Sequence, residues 1–293
     1  MTRALNACNF RLDQPSLVGD LASLATGRTS SLFAADIVDR CSELRDRIAD
    51  RRFLVIGGSG SIGSATVRAM IPFRPRSIHV VDRNENTLAE LVRDLRSGPD
   101  GLAIGDFRTL PLDFGSPIMR RFLMEQEPYD GVLNFAALKH VRSEKDIYSL
   151  LSMLDTNIVK PARLLRWLAE LGFRGSYFCV STDKAANPVN MMGASKRAME
   201  HVAFSGEAAE GFIASVSSAR FANVAFSDGS LLQSFCLRLE KRQPLAVPAN
   251  TRRYFVSLAE AGHICLLAAV CAPNKHLLVP RLSSAYDLRE LEP

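Results

Sequence analysis

Ser181, Thr182, Asp183 and Lys184 place two hydroxyls, a carboxyl and an amine on consecutive residues, and a second amine, Lys196, follows in the same stretch. A carboxyl beside an amine can divide proton work at one site: the neutral amine takes a carbon-bound proton while the acid protonates a leaving hydroxyl. The stretch follows the apolar run Tyr177 to Val180, which reads as a buried strand, and leads into a helical pattern from about Met191. Lys196 lies one helical turn after Met192, on the same helix face. These groups are therefore expected where a strand ends and a helix begins, the ligand edge of an open α/β sheet. The plain alternative for Asp183 and Lys184 is a surface ion pair.

Upstream, Phe53 to Ile56 is a short apolar run, followed by Gly57, Gly58, Ser59, Gly60, Ser61, Ile62 and Gly63 and a helical pattern to about Ile71. Strand, glycine loop and helix occur in the order a dinucleotide fingerprint requires. Gly57 serves the tight turn, Gly60 lets backbone N–H groups approach a pyrophosphate, and Gly63 allows close helix–strand packing. A second strand, Ser77 to Val81, ends at Asp82, whose carboxylate can accept both ribose hydroxyls and would repel a 2′-phosphate. That favours NAD as cofactor, although Arg83 beside it could pair with such a phosphate. The plain alternative is a βαβ turn with Asp82 capping the next helix.

A helix is expected from about Asn84 to Arg96, and a third strand ending at Leu112 and Asp113. Asp113 and Phe114 are placed to meet an adenine ring, while the competing Asp106 reads better as a turn or edge residue. The fourth strand, Gly131 to Phe135, continues into Ala136, Ala137, Leu138, Lys139 and His140. Its small residues leave room for a cofactor; Lys139 and His140 either touch phosphate or substrate or are solvated loop residues. A long helical region to about Leu171 holds Asn157, either a buried functional polar group or a packing residue. A sixth strand, about Phe212 to Ala219, leads to Arg220 and Asn223, and Arg253 follows later. Alternating strands and helices of this kind predict a Rossmann-type, doubly wound parallel sheet.

Ahead of that sheet, Phe33, Ile37, Cys41, Leu44 and Ile48 recur at helical spacing, predicting one amphipathic helix with Ser30 or Ser31 as N-cap. Its apolar stripe must dock on the main domain or on a second subunit. A shorter helix with Leu17, Leu21 and Leu24 is expected to end at Gly27. The resulting organisation is a helical N-terminal extension (1–50), an NAD-binding domain (51–225) and a small, partial substrate lobe (226–293).

The 293 residues, 47% hydrophobic and 23% charged, suit a globular protein that buries a sizeable core. The longest apolar run, Ile264 to Ala272, is too short to span a membrane, and the first thirty residues lack the compact apolar core of a signal peptide. A cytoplasmic protein is expected. The net charge of +5 comes from dispersed residues, so an anionic small substrate accounts for it and no nucleic-acid surface is expected. The six cysteines form no Cys-x-x-Cys pair and the five histidines show no zinc spacing, so neither disulfides nor metal are expected.

Taken together, Gly57 to Gly63, Asn134 to Val141, Ser181 to Glu200, Arg220 to Ser230 and Arg253 to Phe255 resemble one family. It is the UDP-N-acetylglucosamine 4,6-dehydratase group of extended short-chain dehydrogenases/reductases, which serve bacterial surface-polysaccharide biosynthesis. The resemblance implies an enzyme that oxidises C4 of a UDP-sugar, eliminates water across C5 and C6, and returns the hydride to C6, recycling NAD. It implies Lys184 as base at C5, Asp183 as acid for the C6 hydroxyl and Thr182 at the C4 oxygen. Lys196 would bind the nicotinamide ribose, and Arg220, Asn223 and Arg253, with His140, would face the substrate. The family habit also implies a homo-oligomer.

At the position where most short-chain dehydrogenases carry a tyrosine base, this chain has Met192, which transfers no proton. Asp183, Thr182 or a water must then deprotonate the C4 hydroxyl, and retained configuration at C5 is favoured. The rival readings are a nucleotide-sugar epimerase and an inactive NAD-binding module.

Overall fold

The computed structural model describes residues 17–98, 101–139, 144–205, 213–247, 252–282 and 286–287, with side chains omitted at 17–20 and 286–287. Seven strands form one sheet: β1 (Arg52–Ile56), β2 (Ser77–Asp82), β3 (Asp106–Pro111), β4 (Gly131–Asn134), β5 (Ser176–Val180), β6 (Ser215–Ala219) and β10 (His276–Leu278). Their order is β3-β2-β1-β4-β5-β6-β10, and every neighbouring pair is parallel. Register places Val55 beside Val80 and Leu133 beside Phe178. A sheet covered on both faces needs apolar residues at successive positions, and β1 and β4 are buried throughout. The doubly wound sheet expected from the sequence is present. Short strand pairs lie outside it: β7 (Asn223–Val224) with β9 (Phe255–Val256), and β8 (Arg252–Arg253) with β11 (Tyr286–Asp287).

The helices are α1 (Leu17–Thr26), α2 (Ala34–Asp39), α3 (Cys41–Ile48), α4 (Ser61–Met70), α5 (Glu85–Ser97), α6 (Pro117–Glu125) and α7 (Ile147–Leu154). After them come α8 (Lys160–Glu170), α9 (Met191–Phe204), α10 (Leu231–Glu240) and α11 (Leu258–Val270). One apolar layer joins β1, β2 and β4 to α4, α5 and α11; the other lies between the opposite sheet face and α6, α8 and α9. Among the described residues no helix is long and apolar enough to cross a membrane.

Several expectations change. The single helix from Phe33 to Ile48 is two, broken at Arg40, whose φ of −100° and ψ of 12° leave the helical region. Neither Ser30 nor Ser31 caps it: Phe33 holds the N-cap position, while the Ser31 hydroxyl bonds the Phe33 N–H and His263. The stripe of Ile37, Cys41, Leu44 and Ile48 is buried in the main core with Met70, Phe73 and Ile264, so it docks on its own domain. Gly27, at φ +64°, follows the end of α1 as expected.

The third strand stops at Pro111, before Leu112 and Asp113, because the Leu112 N–H turns back to the Leu110 carbonyl. Cys41 is disulfide-bonded, contrary to expectation. Within the 226–293 span, α11 packs against α4 and β10 joins the main sheet, so those pieces belong to the Rossmann layers.

Candidate active site at the strand carboxyl ends

β1 and β4 are neighbours in the sheet although β2 follows β1 in sequence, which makes their carboxyl ends the point where the winding reverses. The glycine loop leaves β1 at that point. Gly57 has φ +70°, and a Cβ there would lie 2.6 Å from the Ala136 backbone nitrogen, so loop and β4 end approach as only glycine allows. A Cβ on Gly63 would strike the Gly57 carbonyl, which agrees with its packing role. Gly60, at φ −71°, is the N-cap of α4, and the protein leaves room for a Cβ there, its nearest neighbour being Gly57 O at 3.5 Å. Helix start, bare glycine and small residues at Ala136 and Ala137 form a cradle that fits a dinucleotide's pyrophosphate.

The loop's hydroxyls have partners. Ser59 is buried and its Oγ lies 2.7 Å from Thr87 Oγ1. Ser61 donates to Asp228 at 2.7 Å and accepts from the Asp228 N–H at 2.9 Å. Ile62 packs against the main core. Asp82 is half-buried at the end of β2 and accepts from the Asn84 N–H at 3.2 Å. Arg83 turns toward Asp113, at 4.0 Å.

Asp113 is held at 2.6 Å by Lys160 and at 2.9 Å by the Gly115 N–H. Burial works to raise its carboxyl, but those bonds and the charges of Lys160 and Arg83 outweigh it and keep it below the usual range. Its carboxylate is thus already engaged, and Phe114 is buried in the core. Asp106 is the first residue of the edge strand β3 and pairs with His79 and Arg108, consistent with an edge role.

The carboxyl end of β5 delivers the reactive stretch. Ser181 is buried; Thr182 is the N-cap of a single 3₁₀ turn, Asp183–Ala185, and its hydroxyl donates to Asp183 at 2.8 Å. Lys184 Nζ lies 3.2 Å from the same Asp183 oxygen, and both side chains are about half exposed (41% and 50%). Hydroxyl, carboxylate and amine thus meet on one oxygen, open to a ligand. Asn190 caps α9, and Gly193 lets that helix start against the reactive turn: a Cβ would lie 2.7 Å from the Lys184 carbonyl.

One face of α9 carries Met192 and Lys196, both buried. Lys196 Nζ donates to the Val180 carbonyl at 2.8 Å and lies 3.5 Å from Met199 Sδ. Burial lowers its amine to about 8, against the opposing pull of Cys179 and Glu200. The Met192 N–H donates to Glu144 at 2.9 Å, so a carboxylate approaches the backbone of the residue that stands in the tyrosine's place.

Other expected residues are arranged differently. Arg220 pairs with Glu200 through both Nε, at 2.7 Å, and Nη2. Asn223 bonds the Tyr254 carbonyl at 3.4 Å, and Arg253 is exposed on β8. Lys139 is exposed by surface area yet crowded by protein, which lowers its amine, while Asp228 pulls the other way. His140 lies outside the described residues.

Sequence reasoning left Asn157 open and missed Glu144, Glu200 and Asp228. Asn157 lies in a π-helical segment, Asp155–Val159, just ahead of Pro161, which lacks the N–H that α-helical bonding would need. The segment turns its side chain inward, where it bonds the Leu138 N–H and carbonyl and the Ser195 hydroxyl, each at 2.9 Å. Asn157 therefore ties the loop after β4 to α9.

The polysaccharide biosynthesis protein family matches residues 53–292. An uncharacterized membrane protein, MJ1061, of Methanocaldococcus jannaschii is 32% identical over 80% of this chain and 68% of its own. The probable polysaccharide biosynthesis protein EpsC of Bacillus subtilis is 30% identical over 88% of this chain, which spans only 43% of that relative's length. A UDP-N-acetylglucosamine 4,6-dehydratase (inverting) of Campylobacter jejuni is 25% identical over 80% of this chain and 68% of its own.

Among solved structures, Pen from Bacillus thuringiensis matches with a TM-score of 0.70 at 24% identity, covering 80% of this chain and 69% of that one. The Bordetella bronchiseptica enzyme WbmF, in complex with NAD+ and UDP, gives 0.65 at 17% identity, covering 84% and 76%. These structural likenesses speak for the fold. With the family match running from β1 past β10, through the glycine cradle and the reactive turn, the chain belongs to the polysaccharide biosynthesis protein family.

Proposed function

We propose that the chain is a nucleotide-sugar 4,6-dehydratase that uses NAD and acts on a UDP-N-acetylhexosamine, with UDP-N-acetylglucosamine the expected substrate. The observation that carries this reading is the convergence of Thr182 Oγ1 and Lys184 Nζ on one oxygen of Asp183, at 2.8 and 3.2 Å. Similarity to the Campylobacter dehydratase supports the substrate class, and the cradle around Gly57 supports the dinucleotide. NAD would lie across that cradle, with Asp82 at its ribose, and supplies hydride acceptance and return.

The side chains complete a closed proton cycle. With Met192 unable to act, the C4 hydroxyl proton passes through Thr182 to the Asp183 carboxylate as C4 is oxidised. The resulting ketone acidifies C5–H, and neutral Lys184 removes that proton. Protonated Asp183 then gives its proton to the C6 hydroxyl, which departs as water. After hydride reaches C6, the Lys184 ammonium returns the proton to C5. Each side chain thus leaves the cycle in the protonation state in which it entered it. Delivery and removal by one amine keep the configuration at C5, in contrast to the inverting Campylobacter relative.

The test is incubation of the purified protein with UDP-N-acetylglucosamine and no added cofactor, read by mass spectrometry. A product lighter by one water is expected. A product of unchanged mass with an altered sugar would point to epimerisation, and tight NAD binding without turnover to an inactive module; either overturns the reading.

A further inference from the structure

Glu200 is a buried carboxylate that the proton cycle does not use. It lies one helical turn beyond Lys196 on α9, so both side chains project from one face. Their partners are consecutive residues at the end of β5: Lys196 Nζ donates to the Val180 carbonyl, and the Ser181 hydroxyl donates to Glu200 Oε1 at 2.5 Å. From the end of β6, Arg220 grips the same carboxylate through Nε and Nη2. Glu200 and Ser181 are 4% and 5% exposed, so both are shielded from bulk water. Beyond the paired strands, the Ser181 N–H reaches the Ala219 carbonyl at 2.8 Å and the Asp183 N–H reaches the Phe221 carbonyl at 3.3 Å. The chain from Val180 to Asp183 is thus held on one side by α9 and on the other by the end of β6.

We propose that Glu200, clamped between Ser181 and Arg220, is a positioning residue: it fixes the exit of β5 and so sets where Thr182, Asp183 and Lys184 stand relative to Lys196. The proposal rests on the dehydratase reading for its effect on turnover, but not for its effect on the loop. Glu200 has a second consequence, because it supplies the negative charge that favours protonated Lys196. The other groups facing that amine are the Cys179 thiol from β5, which burial pushes up to about 11, and the Met199 sulfur. Arg220 faces Glu200 on its far side.

Two variants of the full chain test this. Ser181→Ala removes one bond and leaves the Arg220–Glu200 pair, while Glu200→Gln keeps the shape and removes the charge. Hydrogen exchange should quicken at the amides of residues 182–185 in both variants. On UDP-N-acetylglucosamine, kcat should fall about 10- to 100-fold with KM within about twofold, as expected for misplaced reacting groups on an intact binding surface. In Glu200→Gln the alkaline limb of NAD affinity should move to lower pH, the direction expected from losing a nearby negative charge.

A merely structural pair would lower the melting temperature while kcat per folded molecule, loop exchange and the alkaline limb stayed at wild-type values; that outcome overturns the proposal. If the wild type does not dehydrate the sugar, the dehydratase reading fails by itself. Exchange in Ser181→Ala then still decides the positioning role, and unchanged protection at 182–185 would refute it.

Discussion

Lys196 donates a 2.8 Å hydrogen bond from its buried amine to the carbonyl of Val180, the last residue of β5. The amine is thereby fixed directly beneath the reactive turn, where an ordinary lysine would swing free. Burial that enforces this also lowers its pKa to about 8. The sign follows: below that value the amine carries charge and can hold a ribose and the nearby phosphates, and above it the charge is lost. NAD affinity, measured by calorimetry from pH 6.5 to 9.5, is expected to hold at low pH and to decline through about pH 8. A flat profile would mean that Lys196 does not contact the cofactor in its charged form.

Lys184→Ala removes the base at C5 and leaves the cradle at Gly57 untouched. Dehydration should drop by about 10²- to 10⁴-fold, the usual worth of a positioned acid–base group, while NAD titrates as in the wild type. Elimination at the wild-type rate would reassign the C5 base.

Cofactor choice should follow from Asp82 and Arg83 together. Asp82 ends β2 half-buried, its carboxylate accepting from the Asn84 N–H, whereas Arg83 leans toward Asp113, at 4.0 Å. NAD should therefore bind at least about tenfold more tightly than NADP, and Asp82→Ala should narrow the gap. Equal affinities in the wild type would remove Asp82 from the ribose site.

Gly57→Ala forces a Cβ into a left-handed residue and onto the Ala136 backbone at 2.6 Å. The expected cost is about 1–3 kcal/mol of stability, read as a lower denaturant midpoint, together with loss of NAD binding. An unchanged midpoint would mean that the loop relaxes freely.

The fold was legible because buried parallel strands appear as unbroken apolar runs, and Phe53–Ile56 and Tyr177–Val180 mark two of them. The glycine spacing was readable for the same local reason: it needs a particular residue at a particular offset. What stayed hidden depends on partners distant in sequence. The pairing of Arg220 stayed hidden because nothing in its own segment announces Glu200, which meets it only when α9 crosses the end of β6. The break at Arg40 leaves the apolar stripe in register on both halves, so periodicity alone showed one helix. Asn157 needed the π segment before its inward direction could be known.

The most direct measurement of the account follows the hydride. UDP-N-acetylglucosamine deuterated at C4, turned over by the protein without added cofactor, should give a 4-keto-6-deoxy product with deuterium on C6, seen by NMR. Return of the label to C4 in a sugar that keeps its C6 hydroxyl, or a dehydrated product with no deuterium at C6, would contradict it.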